Sequence, residues 1–208
     1  MLEFLDRAIS LFQYSKRLHQ HKQLQSKKKD HIVPKYVALL RGINVGGNKK
    51  VPMAEMKKVL EKIGLKNVVT ILASGNAVFE SEIESVDKLT ADISAALEKK
   101  FQFSIPVLLR TFSDIEKMIA LDPFRGIKIT PQIRLYVTFL SEKPKGKISA
   151  YVSPDKSFRI ISGTENAAFS VLDLSKANTP EAMSFLEKEF GKNVTTRNWN
   201  TVVKIGKL

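Results

Sequence analysis

The chain has 208 residues, 43% apolar and 26% charged, which is the composition of a globular protein that can bury a core without metal or disulfide help. It holds no cysteine, which excludes disulfides, thiolate nucleophiles, zinc ribbons and cysteine-held clusters and fits a reducing cytoplasm. The net charge of +13 points to anionic partners, yet residues 1–35 carry eight Lys/Arg against three Asp/Glu and the remainder 26 against 18, a spread that argues against one dedicated nucleic-acid patch.

Residues 1–34 read as a basic extension. Leu2, Leu5, Ile9 and Phe12 repeat at helical spacing, and the polar, basic run "HQHKQLQSKKKD" follows. Glu3, Asp6 and Arg7 interrupt the apolar run that a secretory signal needs, and no stretch approaches the roughly 18 apolar residues of a membrane span.

From Lys35 the rhythm changes. "KYVALLR" is a continuous apolar run, hence a buried strand. Met53, Met56, Val59, Leu60 and Ile63 share one helical face, with Pro52 at the first turn and Gly64 at the exit. "NVVTILASGNAVFES" reads as strand, turn, strand, the turn being Ser74-Gly75-Asn76. Val86, Leu89, Ile93 and Leu97 mark a second helix to about Phe101, and "SIPVLLR" is a fourth strand. Residues 35–110 therefore have the β-α-β-β-α-β order of a ferredoxin-like unit.

Residues 111–131 are expected to form a linking helix and loop, with Ser113 and Glu116 at capping-box spacing. Residues 132–208 form a second half. Ile133, Leu135, Val137 and Phe139 alternate with Arg134, Tyr136 and Thr138 in a strand; Lys145–Tyr151 is expected as a short helix. "SFRII" and "AAFSVLD" read as two strands joined near Gly163. Thr179 and Pro180 suit the N-cap and first position of a helix through Phe190, and "NVTTRNWNTVVKIGKL" closes with a strand and a helix. The expected fold class is α+β: tandem ferredoxin-like halves with mainly antiparallel sheets, plus the N-terminal helical extension.

Three stretches carry candidate chemistry. "RGINVGGNKKVP", residues 41–52, lacks the Gly-Lys-Ser/Thr of a Walker loop and the dinucleotide G-x-G-x-x-G. It still ends a strand, frees backbone amides through glycine and precedes a helix N-terminus, with Arg41, Lys49 and Lys50 adding charge; the alternative is a glycine turn with solvated lysines. In an antiparallel unit of this order the turn at 74–76 emerges beside residues 41–49. "TTRNWNT", residues 195–201, holds the only tryptophan; Trp199 can stack a base or sugar and Arg197 can pair with phosphate, or the tryptophan is core and its neighbours cap the last helix. All three histidines lie at or before His31, which excludes a histidine triad or histidine metal site in the body. No motif requires a cofactor or a metal, and none sets an oligomeric state.

"YVALLRGINVGGNKKVPMAEM", "SGNAVF" and "TTRNWNTV", in that order, resemble the bacterial domain-of-unknown-function family 1697 over about residues 35–208. The resemblance implies tandem α+β, ferredoxin-like halves and no established activity. The basic extension lies outside the family pattern, and "LDLSKANTPEAM" keeps Ser175-Lys176 but lacks the glycines that precede that pair in the family.

Three functions stay open at this level. The first is a binding module whose basic rim, built from Arg41, Asn44, Gly46, Gly47, Lys49, Ser74, Asn76 and the segment Arg197, Asn198, Trp199 and Asn200, holds a phosphate-bearing ligand, either a nucleotide or a nucleic-acid segment. The second is a small-molecule enzyme using the same rim, with an arginine and amide side chains as polarising groups. The third is an interaction protein whose polar motifs hold its own two halves together.

Overall fold

The computed structural model describes residues 33–47 and 49–208. The extension expected at residues 1–34 falls, up to residue 32, outside the described residues.

Strand β1 (Lys35–Leu40) explains its own uninterrupted apolar sequence. Tyr36, Ala38 and Leu40 point to one side, into a cluster with helices, while Val37 and Leu39 point to the other, into a second sheet. A strand buried on both faces has no polar side to show. Helix α1 (Met53–Lys62) starts after Pro52 and buries Met56 and Leu60. Strands β2 (Lys66–Ile71) and β3 (Asn76–Glu80) follow as a hairpin. Helix α2 (Val86–Phe101) begins where the Ser85 hydroxyl accepts from the Lys88 N–H and ends where Gln102 turns left-handed at φ 62°. Its buried residues are Leu89, Ile93 and Leu97, the stripe that the periodicity marks. Strand β4 (Val107–Thr111) completes a four-stranded antiparallel sheet in the order β2-β3-β1-β4.

Helix α3 (Phe112–Ala120) carries a capping box, but on Thr111 and Asp114 rather than on Ser113 and Glu116. The helix follows β4 without a loop, so the last strand residue is also the cap and Ser113 already lies in the first turn.

The second sheet is antiparallel, in the order β6-β7-β8-β5-β9. Its strands are β5 (Ile133–Phe139), β6 (Tyr151–Val152), β7 (Phe158–Gly163), β8 (Ala167–Asp173) and β9 (Thr195–Asn198). The helix expected at Lys145–Tyr151 does not form. Residues 141–150 are loop, and Tyr151 and Val152 pair with Ile160 and Arg159 instead. Pro144 and Gly146 oppose a helix there, and edge pairing takes the apolar Tyr151. Helix α4 (Thr179–Phe190) is capped by Asn178, one residue before the expected Thr179. The Thr179 hydroxyl is engaged with the Tyr136 hydroxyl at 3.2 Å. Helix α5 (Trp199–Ile205) closes the chain.

Packing makes four layers. Helices α1 and α2 cover the outer face of the first sheet. Val37, Leu39 and Val78 meet Leu135, Val137, Phe139 and Phe169 between the sheets, with α3 and α5 adding Ile115, Met118, Val202 and Ile205. Helix α4 covers the outer face of the second sheet through Ala182 and Leu186 against Tyr136, Phe158 and Leu172. Each fully buried Leu, Val or Phe here contributes about 1.5–3 kcal/mol of apolar transfer. Among the described residues no helix is long and apolar enough to cross a membrane.

Candidate functional site

The end of β1, the β2–β3 turn and β9 converge on one cleft of about 540 Å³. From the first part of the chain come Arg41, Asn44 and Ser74; from the last come Met183 and Glu187 of α4 and Thr195, Thr196 and Arg197 of β9. The adjacency expected between residues 41–49 and the 74–76 turn is seen for residues 41–45, which line the cleft together with Ala73 and Ser74. The Leu40 N–H donates to the Gly75 carbonyl at 2.8 Å, and the Asn44 amide donates to the Ala73 carbonyl at 2.7 Å.

Arg197 forms the floor. Only 7% of it is exposed, and it reaches from the edge of the second sheet to the end of the first. Nε donates to Asn76 Oδ1 at 2.6 Å; Nη1 donates to the Thr195 hydroxyl and the Thr196 carbonyl; Nη2 donates to the carbonyls of Leu40 at 2.5 Å and Ser74 at 3.0 Å. All five donors of the fork are thus engaged by neutral oxygens. Burial pulls the guanidinium down to about 10, which leaves it charged at neutral pH. Asn76, fully buried, completes the arrangement by donating to the Ile71 carbonyl and the Ser74 hydroxyl.

Arg41 is the exposed arm of the site. Its N–H is held by the Pro106 carbonyl at 2.9 Å, while its guanidinium meets Glu187 Oε1 at 2.6 Å across the cleft. Asn44 fastens the loop: its amide donates to Val51 and Ala73 carbonyls and its Oδ1 accepts from the Val51 N–H. Asn44 sits at φ 55°, a left-handed position that asparagine tolerates better than most residues.

Other candidates lie elsewhere. Gly46 and Gly47 are exposed in left-handed conformation and do not line the cleft. Lys49 places Nζ 5.9 Å over the Phe103 ring. Asn198 caps α5, its Oδ1 accepting from the Asn200 N–H at 3.0 Å. Trp199 packs edge-on against Phe124 at 5.2 Å in the inter-sheet core and Asn200 is exposed; neither lines the cleft. The Ser175 hydroxyl donates to Asp173 at 2.6 Å. Among the described residues no group of three or more His, Cys, Asp or Glu is placed to hold a metal ion.

Sequence reasoning missed Glu187 and Met183, which line the cleft from α4. Glu187 sits on an amphipathic helix at a position that reads as ordinary solvated surface, and nothing in its local sequence distinguishes it.

Fold and cleft together define an α+β protein of two antiparallel sheets, with Arg41, Asn44, Ser74, Asn76 and Arg197 gathered at one inter-sheet seam. The chain belongs to the DUF1697 family, proteins of unknown function, whose profile matches residues 33–169. The match ends within β8, so the Arg197 segment lies beyond it. A solved structure similar to the chain is that of the conserved bacterial protein SP0830 from Streptococcus pneumoniae. The two are 25% identical with a TM-score of 0.61, over 84% of this chain and 98% of that one. No curated protein matches the chain.

Proposed function

We propose that the chain binds a phosphate-bearing ligand, of nucleotide size, in the cleft between Arg41 and Arg197. The observation that carries this reading is a buried cation without a counter-ion. Arg197 is bonded only to neutral oxygens, and no carboxylate among the described residues forms an ion pair with it. Carbonyl dipoles satisfy its hydrogens but leave its net charge, which in a poorly solvated setting projects a positive potential into the adjoining cleft. Adding Arg41 and subtracting Glu187 leaves one positive charge in excess in the lining. A volume of about 540 Å³ falls in the range of small-molecule sites, which favours a nucleotide over a nucleic-acid segment.

The test is a thermal-shift titration with nucleotides and sugar phosphates at moderate salt. A bound ligand raises the melting temperature in proportion to its concentration over its Kd. Arg41→Ala removes the exposed arm and is expected to abolish the shift. Absence of any shift in the unaltered protein sinks the reading.

A second reading, that the polar motifs join the two halves, is favoured by the same Arg197 bonds, which tie β9 to β1 and to the β2–β3 turn. The two are compatible: Arg197 serves as clamp and floor, and Arg41 as the ligand-facing arm.

We infer a tandem of ferredoxin-like halves, at 35–110 and 132–208, linked through 111–131. In support, strands β7-β8-β5-β9 repeat the spatial order of β2-β3-β1-β4, with a loop and β6 where the first half has α1. A reducing cytoplasm is the location that the lack of cysteine favours.

A further inference from the structure

We propose that the ligand is a phosphate ester of a neutral, partly apolar group, held astride Arg41; this rests on the anion-binding reading above. A second cleft of about 320 Å³ adjoins the first, and Arg41, Val194 and Thr195 line both. The two differ in chemistry. The first holds two guanidinium groups and a carboxylate. Arg41 is the only charged residue of the second, whose walls include Leu39, Pro106 and Leu108 beside the neutral polar Ser94 and Asn193. A ligand that uses both therefore has an anionic head at Arg41 and an uncharged body in the recess. A polymer would place a further phosphate where no cation lies to receive it, and a free phosphate would leave the recess unused.

Arg41 is built for such a position. Its backbone is fixed to Pro106, whereas among the described residues its guanidinium is engaged only by Glu187, with both side chains open to solvent at 29% and 43% exposure. Pairs as exposed as this are weak, so a ligand's phosphate can displace the carboxylate from Arg41 without a large penalty. Glu187 then serves as the ion that occupies Arg41 until the ligand arrives. Apolar walls in the recess add area that only an organic ester can bury.

Isothermal titration of the full chain with inorganic phosphate, adenosine 5′-monophosphate and glucose 6-phosphate tests this. At least one ester is expected to bind roughly tenfold or more tightly than inorganic phosphate, a ratio read as differential affinity for the neutral body. Ser94→Trp, on the half-buried face of α2, fills the recess and is expected to erase that gain while inorganic phosphate binds as before. Should that variant also lose inorganic phosphate, Ser141→Trp, on an exposed residue of the same recess, makes the same measurement. Equal affinity for phosphate and both esters, or an ester preference that survives filling of the recess, overturns the proposal and leaves the anion-binding reading standing. Binding of none of the three overturns both.

Discussion

The Arg197 Nε donates to Asn76 Oδ1 at 2.6 Å, across 121 positions of sequence and from one sheet to the other. A second arginine makes the reverse crossing. Arg110 of β4 donates to the carbonyls of Leu140 and Asn166, beside the second sheet, while its Nε is buried without a partner among the described residues. Each sheet thus sends one cation to backbone oxygens at or beside the other. Replacing Arg197 by Met keeps volume but strands the Leu40, Ser74 and Thr196 carbonyls. Each buried acceptor left unmade costs about 1–3 kcal/mol, partly offset by relief of a buried charge, so urea denaturation is expected to show a net loss of about 2–4 kcal/mol. A midpoint equal to that of the parent would deny Arg197 its clamp role.

Asn76→Asp changes the charge of the site with almost no change of shape. The new carboxylate faces Arg197 and supplies the counter-ion that the parent lacks. It also forfeits the donations to the Ile71 carbonyl and the Ser74 hydroxyl. Gain and loss are both of order 1–3 kcal/mol, so stability is expected to move little. Anion affinity is expected to fall by about tenfold or more, the effect of cancelling one nearby charge at short range. Calorimetric titration with a nucleoside monophosphate reads it; unaltered affinity means that the charge of Arg197 is not felt in the cleft.

Gly75 is required on two separate counts. Its φ is +77°, and a Cβ there would stand 2.6 Å from Ile43 Cδ1 and 2.9 Å from Leu40 Cβ. Left-handed strain costs an Ala about 1 kcal/mol and the overpacking a further 1–3 kcal/mol. Gly75→Ala is expected to lower the thermal midpoint clearly. Gly46→Ala, with open space around its Cβ, meets only the strain and is expected to lose about 1 kcal/mol. Similar losses for the two would show that the turn relaxes away from Ile43.

Much of this was legible in residue order, and its limits have physical causes. Helix α2 is readable because Leu89, Ile93 and Leu97 form an unbroken stripe, whereas its caps, the Ser85 hydroxyl and the left-handed Gln102, appear only in the structure. Caps of α3 and α4 were placed one or two residues off because several adjacent residues can cap, and tertiary contacts such as Tyr136 to Thr179 choose among them. The stretch 145–151 reads as helix but forms a loop that ends in β6 at Tyr151, because edge pairing with β7 is non-local. Arg41, Asn44, Ser74, Asn76 and Arg197 were recognisable as unusual polar residues, and topology brings them together. The backbone carbonyls that receive Arg197 and Asn44 were not recognisable, since they leave no mark in the sequence. Trp199 illustrates the converse: a lone aromatic among polar residues suggests a stacking platform, yet it faces Phe124 in the core.

The turn between β6 and β7 supplies a pH-dependent element away from the cleft. Asp155 accepts from the Ser153 hydroxyl at 2.6 Å, the Ser157 hydroxyl at 2.8 Å and the Ser157 N–H at 3.1 Å. These bonds favour the carboxylate and lower its pKa from 3.8 to about 2. Because the folded value lies below the unfolded one, the contribution is complete above 3.8 and is lost as the pH falls through about 2. A carboxyl-carbon NMR titration is expected to place the Asp155 midpoint near 2. A midpoint at the ordinary 3.8 would mean that the three bonds are not kept in solution.

Glu187→Gln separates the stability of the Arg41 pair from its role at the cleft. The pair is partly exposed and joins α4 to the end of β1, so its removal is expected to cost only about 0.2–1 kcal/mol in urea. Its effect on ligand should be larger and opposite in sign. Glu187 competes with an incoming anion for Arg41 and repels it by like charge; the amide does neither as strongly. Phosphate-ester affinity is therefore expected to rise several-fold, the order expected when one partly screened charge is removed from a solvent-open site. The rise should be greatest at low salt and shrink as salt approaches molar levels, where the Debye length falls to about 3 Å. Titrations of the parent and the variant at two ionic strengths make the comparison. An affinity unchanged by the substitution at both would show that Glu187 does not stand in for the ligand, and that Arg41 meets its anion from another direction.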